Sequence, residues 1–167
     1  MIDDKRTVII RDVEFHWSKL DKTVTPFGTE RWETQLRTRD ENKAKELKEL
    51  FLNVKKESDD EGTYWKTNVN RNLFKANQDK IPEHEREKNT PPEVLDSNKQ
   101  PLTKLVGNGS TGNVKLFQAP YNFKGRKGVS TVLTAVQVTD LRVYEPNTGV
   151  DFDIIDDGSD TTSNEDF

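Results

Sequence analysis

The strongest constraint on this chain lies in residues 107–144. The stretch opens Gly107-Asn108-Gly109-Ser110-Thr111-Gly112, where three glycines permit positive φ and close backbone approach, so it reads as a loop rather than a helix. Residues 113–118 then alternate, with Val114 and Leu116 on one face of a strand and Lys115 and Phe117 on the other. Next, residues 121–128 interleave Tyr121 and Phe123 with Lys124, Arg126 and Lys127 around Gly125, the composition of a turn between strands. Residues 129–144, rich in Val, Thr and Leu, read as a long last strand. The predicted unit is a β-hairpin with a basic, aromatic tip.

Cations interleaved with aromatics on a sheet face suit one ligand class in particular. Single-stranded nucleic acid offers phosphates to Lys and Arg and unstacked bases to Phe and Tyr, with stacking worth about 1–3 kcal/mol per base. An aromatic on a strand can equally be core, and a Lys-Arg turn can be merely solvated. The hairpin alone therefore does not decide between the two.

Composition narrows the choice. At 167 residues, 31% hydrophobic and 34% charged, the chain fits one domain with a thin core and a polar surface. The absence of cysteine excludes disulfides and thiolate chemistry and fits a reducing cytoplasm. His16 and His84 are the only histidines and lack ligand spacing, so neither a zinc site nor histidine-based catalysis is expected, and no cofactor is implied. No apolar run approaches the ~18 residues of a membrane span, and Met1-Ile2-Asp3-Asp4 lacks the basic and apolar regions of a signal peptide. A soluble, unexported protein that does not engage membranes is the expectation.

The net charge of −4 conceals a division. Residues 151–167 hold seven of the thirty acidic residues and no Lys or Arg, which leaves the body with 26 basic and 23 acidic residues. The chain thus divides into a mildly basic domain at 1–150 and an acidic tail at 151–167, expected to be disordered and to serve in interaction.

From the N-terminus, residues 6–17 read as a long first strand, apolar at Val8, Ile9 and Ile10 and alternating at Val13, Phe15 and Trp17, with a bend between. Residues 18–28 read as a loop. A second strand at 29–39 places Trp32, Thr34 and Leu36 on its core side. Asp40 caps a predicted amphipathic helix over 41–56, carrying Ala44, Leu47, Leu50, Phe51 and Val54 at helical spacing and packed on the sheet. A third strand at 63–75 sets Trp65, Thr67 and Val69 against Tyr64, Lys66 and Asn68, with Arg71, Phe74 and Lys75 beyond, and so repeats the cation-and-aromatic texture. Residues 76–104, with four of the seven prolines, form a long excursion with a small hairpin around Val94-Leu95-Asp96 and Pro101-Leu102. Five strands and one packed helix suit a mainly β fold, a partly open antiparallel barrel of the oligonucleotide/oligosaccharide-binding (OB) type, with a β-sandwich as the second choice.

Three enzyme readings fail on context. The run Gly107 to Gly112 matches G-x-G-x-x-G, but a dinucleotide site needs a helix after the glycines and a kinase needs H-R-D and D-F-G motifs that this chain lacks. The acidic groups Asp59-Asp60-Glu61 and Asp151/Asp153 could hold a divalent metal for nuclease chemistry, yet neither has a positioned base. No catalytic residue is assigned.

The glycine run through Val114, the Gly-Arg-Lys-Gly turn at 125–128, the Thr134-Ala135-Val136-Gln137-Val138-Thr139-Asp140-Leu141 strand and an acidic tail closed by Asp166-Phe167 resemble the single-stranded DNA-binding proteins of tailed bacteriophages. Tyr64-Trp65-Lys66 and Glu14-Phe15-His16-Trp17 are similar too, so the resemblance covers most of the chain. It implies an OB fold, sequence-independent coating of replication or recombination intermediates in the cytoplasm of an infected bacterium, and a tail that contacts the phage or host polymerase and helicase or primase. A homodimer is compatible with it. One departure is the helix, which falls between the second and third expected strands.

The expected groove combines the third strand, the fourth strand and the 121–128 hairpin. Phosphates would pair with Lys66, Arg71, Lys75, Lys115, Lys124, Arg126 and Lys127, and bases would stack on Tyr64, Phe117, Tyr121 and Phe123. In the tail, Asp156, Asp157, Asp160, Glu165, Asp166 and Phe167 would meet protein partners. Trp17, Trp32, Trp65 and Phe74 remain open between core and stacking roles. The competing readings are an interaction protein acting mainly through the tail and, last, a metal-dependent nuclease.

Overall fold

The first strand does more than its sequence pattern announces. In the computed structural model, which describes residues 2–143, β1 runs over Arg6–Val24 and forms the spine of the sheet. Asp12 and Trp17 take positive φ within it, at 57° and 52°. At both places the pairing register shifts, so each is a bulge that bends the strand and resets which residues face inward. That is why Ile10 and Val13, three apart, are both buried. It is also why the segment expected to be a loop from Ser18 onward continues as strand to Val24.

β2 (Arg31–Thr38) follows a short 3-10 turn at Pro26–Gly28 and buries Trp32, Thr34, Leu36 and Thr38, the alternation read from the sequence. Asp40 caps α1 (Glu41–Glu49) by accepting a hydrogen bond from the Asn42 backbone N–H. The helix is shorter than predicted. It buries Ala44 and Leu47, then stops as Phe51 turns to φ 63° and leaves its ring exposed.

Residues 55–59, the rest of the expected helix and its following turn, instead form β3 (Lys55–Asp59), an edge strand paired with β4 (Gly62–Asn72). Every β3 residue is exposed and none is apolar, so no periodicity marked it. Charged side chains are a common means of protecting an edge.

The excursion forms the expected small hairpin, with Leu95 bridged to Pro101 and the Asp96 N–H bonded to the Gln100 carbonyl. It also supplies β5 (Glu93–Leu95), which lies parallel to the last strand. β6 (Ser110–Phe123) and β7 (Arg126–Asp140) make the long hairpin. Its turn is only two residues, Lys124 and Gly125, both at positive φ, so Tyr121 and Phe123 lie on strand rather than in the loop.

The sheet order is β3-β4-β2-β1-β6-β7-β5. It curls until β4 packs near β7, giving a mainly β, OB-type, partly open barrel with α1 packed against it. The placement of α1 between β2 and β3 leaves the order β4-β2-β1-β6-β7 intact. Phe15, Leu36, Leu47, Val114, Leu116 and Leu133 fill the interior. Gln118 is fully buried and ties the end of α1 to the sheet. Its amide donates to the Leu50 carbonyl at 2.7 Å and to Thr131 at 3.0 Å, while its carbonyl accepts from Arg6 at 2.9 Å. The acidic tail lies outside the described residues, as do all six tail residues assigned to partners.

The glycine run does structural work at the barrel rim. Gly107 and Ser110 bond to the backbone of Arg142, and the strand begins at Ser110, directly after the positive φ of Gly109. At Gly112 a Cβ would overlap the Gln137 carbonyl, so only glycine allows β6 and β7 to come this close at their register shift. A strand follows these glycines, not a helix.

Candidate nucleic-acid interface

Alternation along β6 places Lys115, Phe117, Tyr121 and Phe123 on the outer face, opposite the buried Val114, Leu116 and Gln118. Phe117, Tyr121 and Phe123 are 37%, 50% and 65% exposed. Across the hairpin, Phe117 pairs with Val132, Tyr121 with Gly128 and Phe123 with Arg126, so Arg126 shares the aromatic face. Lys127 pairs with Asn122 and falls on the other face. Lys124 sits at the turn with its ammonium 5.3 Å from the Phe123 ring centre.

Gly128 has a role beyond the turn. The Tyr121 ring lies across it in the space a Cβ would occupy. The glycine therefore lets the ring cross the ladder to the β7 strand. Ile9 of β1, also exposed, pairs with Lys115 and extends the same outer face. Among the described residues, Lys115 and Arg126 have no acidic partner.

The β4 side is built from similar residue types but is occupied by its own neighbours. Tyr64 is only 8% exposed. Arg37 and Arg39 lie 4.7 and 5.4 Å from its ring centre, and its hydroxyl donates to Glu57 at 3.2 Å. Glu57 also receives Lys66 at 2.8 Å. Those contacts, Lys66 first and then Tyr64, hold the Glu57 carboxyl below its usual range. Arg39 bonds Asp59 at 2.6 Å and approaches Glu61 at 3.7 Å, which lowers the Asp59 pKa and raises that of Arg39. Two of the three carboxylates of the Asp59-Asp60-Glu61 group are thus committed to a guanidinium.

Further along, Arg71 donates to the Thr90 carbonyl at 2.7 Å, and the Phe74 ring lies between Arg86 at 5.5 Å and Lys88 at 6.0 Å. Lys75 reaches Glu87 at 3.9 Å. These contacts fasten the excursion to the end of β4.

The groove expected from the sequence is therefore divided. The structure brings Lys115, Phe117, Tyr121, Phe123, Lys124 and Arg126 together. It places Tyr64, Lys66, Arg71 and Lys75 on or just beyond β4, which β2 and β1 separate from β6 in the sheet order, and pairs them within the chain. Trp32 is core and Trp65 is half-buried on the core side. Trp17 stands out at its bulge, 58% exposed, with its backbone N–H bonded to Asn108 at 2.8 Å. Alternation could not have placed it, because the bulge breaks the alternation at that residue.

No protein-family model matches the sequence, and no curated protein matches it. Solved structures do match. The chain is similar to gp2.5, a single-stranded DNA-binding protein encoded by bacteriophage T7, with a TM-score of 0.52 and 14% identity over 87% of this chain and 92% of that one. It is similar to the single-stranded DNA-binding protein of bacteriophage Enc34 in complex with single-stranded DNA, with a TM-score of 0.50 and 15% identity over 86% of this chain and 89% of that one. At such identities the likeness is one of fold, and this chain shares its barrel along nearly its whole described length with single-stranded DNA-binding proteins of phages.

Proposed function

We propose that this protein binds single-stranded DNA without reading its sequence, along the outer face of the β6–β7 hairpin. The observation that carries the reading is Phe117, Tyr121 and Phe123 exposed on one face of one strand, beside Lys115, Lys124 and Arg126. Aromatic faces stack on any base and cations follow the phosphates, which gives affinity without base-edge recognition. Two further facts support it. The hairpin joins the fourth and fifth strands of the barrel, a connection that OB folds use to hold oligonucleotides. One of the structures with this fold is a complex with single-stranded DNA.

In the wider role, the protein coats replication or recombination intermediates of a phage in the infected cell's cytoplasm. The tail's carboxylates imitate a phosphate chain and compete for the basic face, and Phe167 anchors a polymerase or helicase. A native gel shift with poly-dT in EDTA tests the binding. Stable, uncleaved complexes that weaken with salt are expected. No shift at low salt would leave an interaction protein working through its tail, and cleavage on adding a divalent metal would favour the nuclease.

A further inference from the structure

Given single-stranded DNA on the outer face of the β6–β7 hairpin, as proposed above, we infer that a hollow floored by Ala135 holds one base of that strand, one register step from Phe117. The hollow has a volume of about 140 Å³ and lies among Ile9 of β1, Lys115 of β6, Ala135 and Gln137 of β7, and Leu95 and Lys99 of the excursion. An apolar cavity of about 150 Å³ accepts a benzene-sized ring, so a single planar ring fits here. The hollow owes its existence to a bulge. Leu116 pairs with Leu133 but Lys115 pairs with Ala135, so β7 carries one extra residue, Thr134, at this point. The extra residue brings Ala135, in place of Thr134, opposite Lys115 and onto the outer face. With only a methyl group there, Ala135 lies sunk at 9% exposure beside the exposed Ile9 and Lys115.

The far wall is fastened in advance. The Asn113 amide donates to Gln137 at 3.0 Å and the Gln137 amide donates to the Ser97 carbonyl at 3.3 Å, which pins the 96–99 turn beside β7. That turn ends at the exposed Lys99, whose φ is 63° and whose N–H bonds the Asp96 carbonyl. Among the described residues, neither Lys99 nor Lys115 has an acidic partner. Glu93 pairs with Ala135 from β5 but does not line the hollow. A ring-sized apolar hollow beside two unpaired cations matches a nucleotide, which joins a flat base to a phosphate. An apolar side chain of a protein partner would fill the hollow and leave both cations unanswered. Lys115 and Phe117 are two residues apart, about 7 Å along the strand. That exceeds the ~3.4 Å rise per nucleotide of a duplex strand, so the bases on Phe117 and in the hollow are neighbours on an unstacked, stretched chain.

Filling the hollow tests this. Ala135→Leu should weaken binding to oligo-dT about fivefold or more, the loss of one base contact, with melting close to the parent's. The same variant should match the parent, at low salt, on an oligomer of abasic deoxyribose phosphates, which keeps the phosphates and lacks the bases. An equal loss on both oligomers would show an obstructed backbone, and no loss on oligo-dT would leave the hollow to another occupant; either result overturns the inference. If that variant does not fold, Ile9→Thr removes one wall at an exposed strand position and should give the same pattern with a smaller loss. A parent that does not bind oligo-dT would overturn the DNA reading and the base site with it, whereas a binding parent matched by its variants overturns the base site alone.

Discussion

Phe117, Tyr121 and Phe123 on β6 and Tyr64 on β4 are all outer-face aromatics flanked by cations, yet the first three are more than a third exposed and Tyr64 is 8% exposed. The difference lies in their neighbours. Tyr64 stands between β3, which offers Glu57, and β2, which offers Arg37 and Arg39, so its ring and hydroxyl are both occupied. The β6 aromatics face Val132, Gly128 and Arg126 across the ladder, none of which supplies an acid. The same residue types thus serve as structural fastening in one place and as an open platform in the other. Composition along a strand does not distinguish the two, whereas the identity of the cross-strand partner does.

The largest expected effect separates the two regions by fold stability. Tyr64→Ala removes a buried ring from under two guanidinium groups and should cost about 2–3 kcal/mol of folding stability. For a domain of this size that is a fall in melting temperature of roughly 5–10 °C. Below the new melting temperature its affinity for poly-dT should stay close to the parent's. A large loss of affinity with unchanged melting would place β4 in the interface after all.

Next in size is the opposite result on the hairpin. Phe117→Ala or Tyr121→Ala should weaken poly-dT binding by about 1–3 kcal/mol, read by fluorescence or filter titration, with little change in melting because the rings are exposed. Unchanged affinity in both variants would remove the platform.

These contrasts mark how far the sequence could be read. The alternation that puts Val114 and Leu116 inside and Lys115 and Phe117 outside is a local property of β6, and it held. So did the Asp40 cap, the side of β2 that carries Trp32, the hairpin around Leu95 and Pro101, and a strand after the glycine run. One strand, β3, and one pairing, that of β5 with β7, were illegible for physical reasons. β3 is an all-exposed edge without apolar residues, and the three residues of β5 have parallel partners 42 positions further along the chain. The extension of β1 past Ser18 was hidden by its bulges. The candidate site was half legible, again because alternation is local and pairing is not. Exposure of Phe117 followed from alternation, but the burial of Tyr64 depends on Arg37, Arg39 and Glu57, which only the pairing of β2, β3 and β4 brings around it.

The third effect concerns charge, and it divides the hairpin by face. Lys124→Gln with Arg126→Gln should flatten the dependence of log K on log salt by about 0.7 for each phosphate contact removed. Lys127→Gln alone should leave the slope where it was, because its register position turns it to the other side of the ladder. An equal change from Lys127 would mean that DNA wraps over both faces of the hairpin tip.

The smallest expected effect is a pH response confined to the β3–β4 side. Glu57 and Asp59 both have depressed pKa values in the folded protein, Glu57 through Lys66 and Tyr64, and Asp59 through Arg39. A carboxylate whose pKa is lower in the folded state contributes stability that is complete well above its unfolded pKa. That contribution is lost as the pH falls through the folded value. For these two groups the loss begins near the ordinary carboxylate range, about pH 4, and is complete only below their depressed folded values. The Asp59 pair is exposed and the Glu57 pair partly so, and the contribution is therefore small and screened by salt. Other carboxylates titrate over the same interval, and the effect must be read as a difference between proteins. Glu57→Gln should lower the melting temperature slightly at pH 7 and fall less than the parent between pH 7 and pH 3. Equal falls would show that Lys66 and Tyr64 gain nothing from the charge on Glu57. Lys66 would then be free to meet a phosphate, and the distinction between the two aromatic regions would narrow to burial alone.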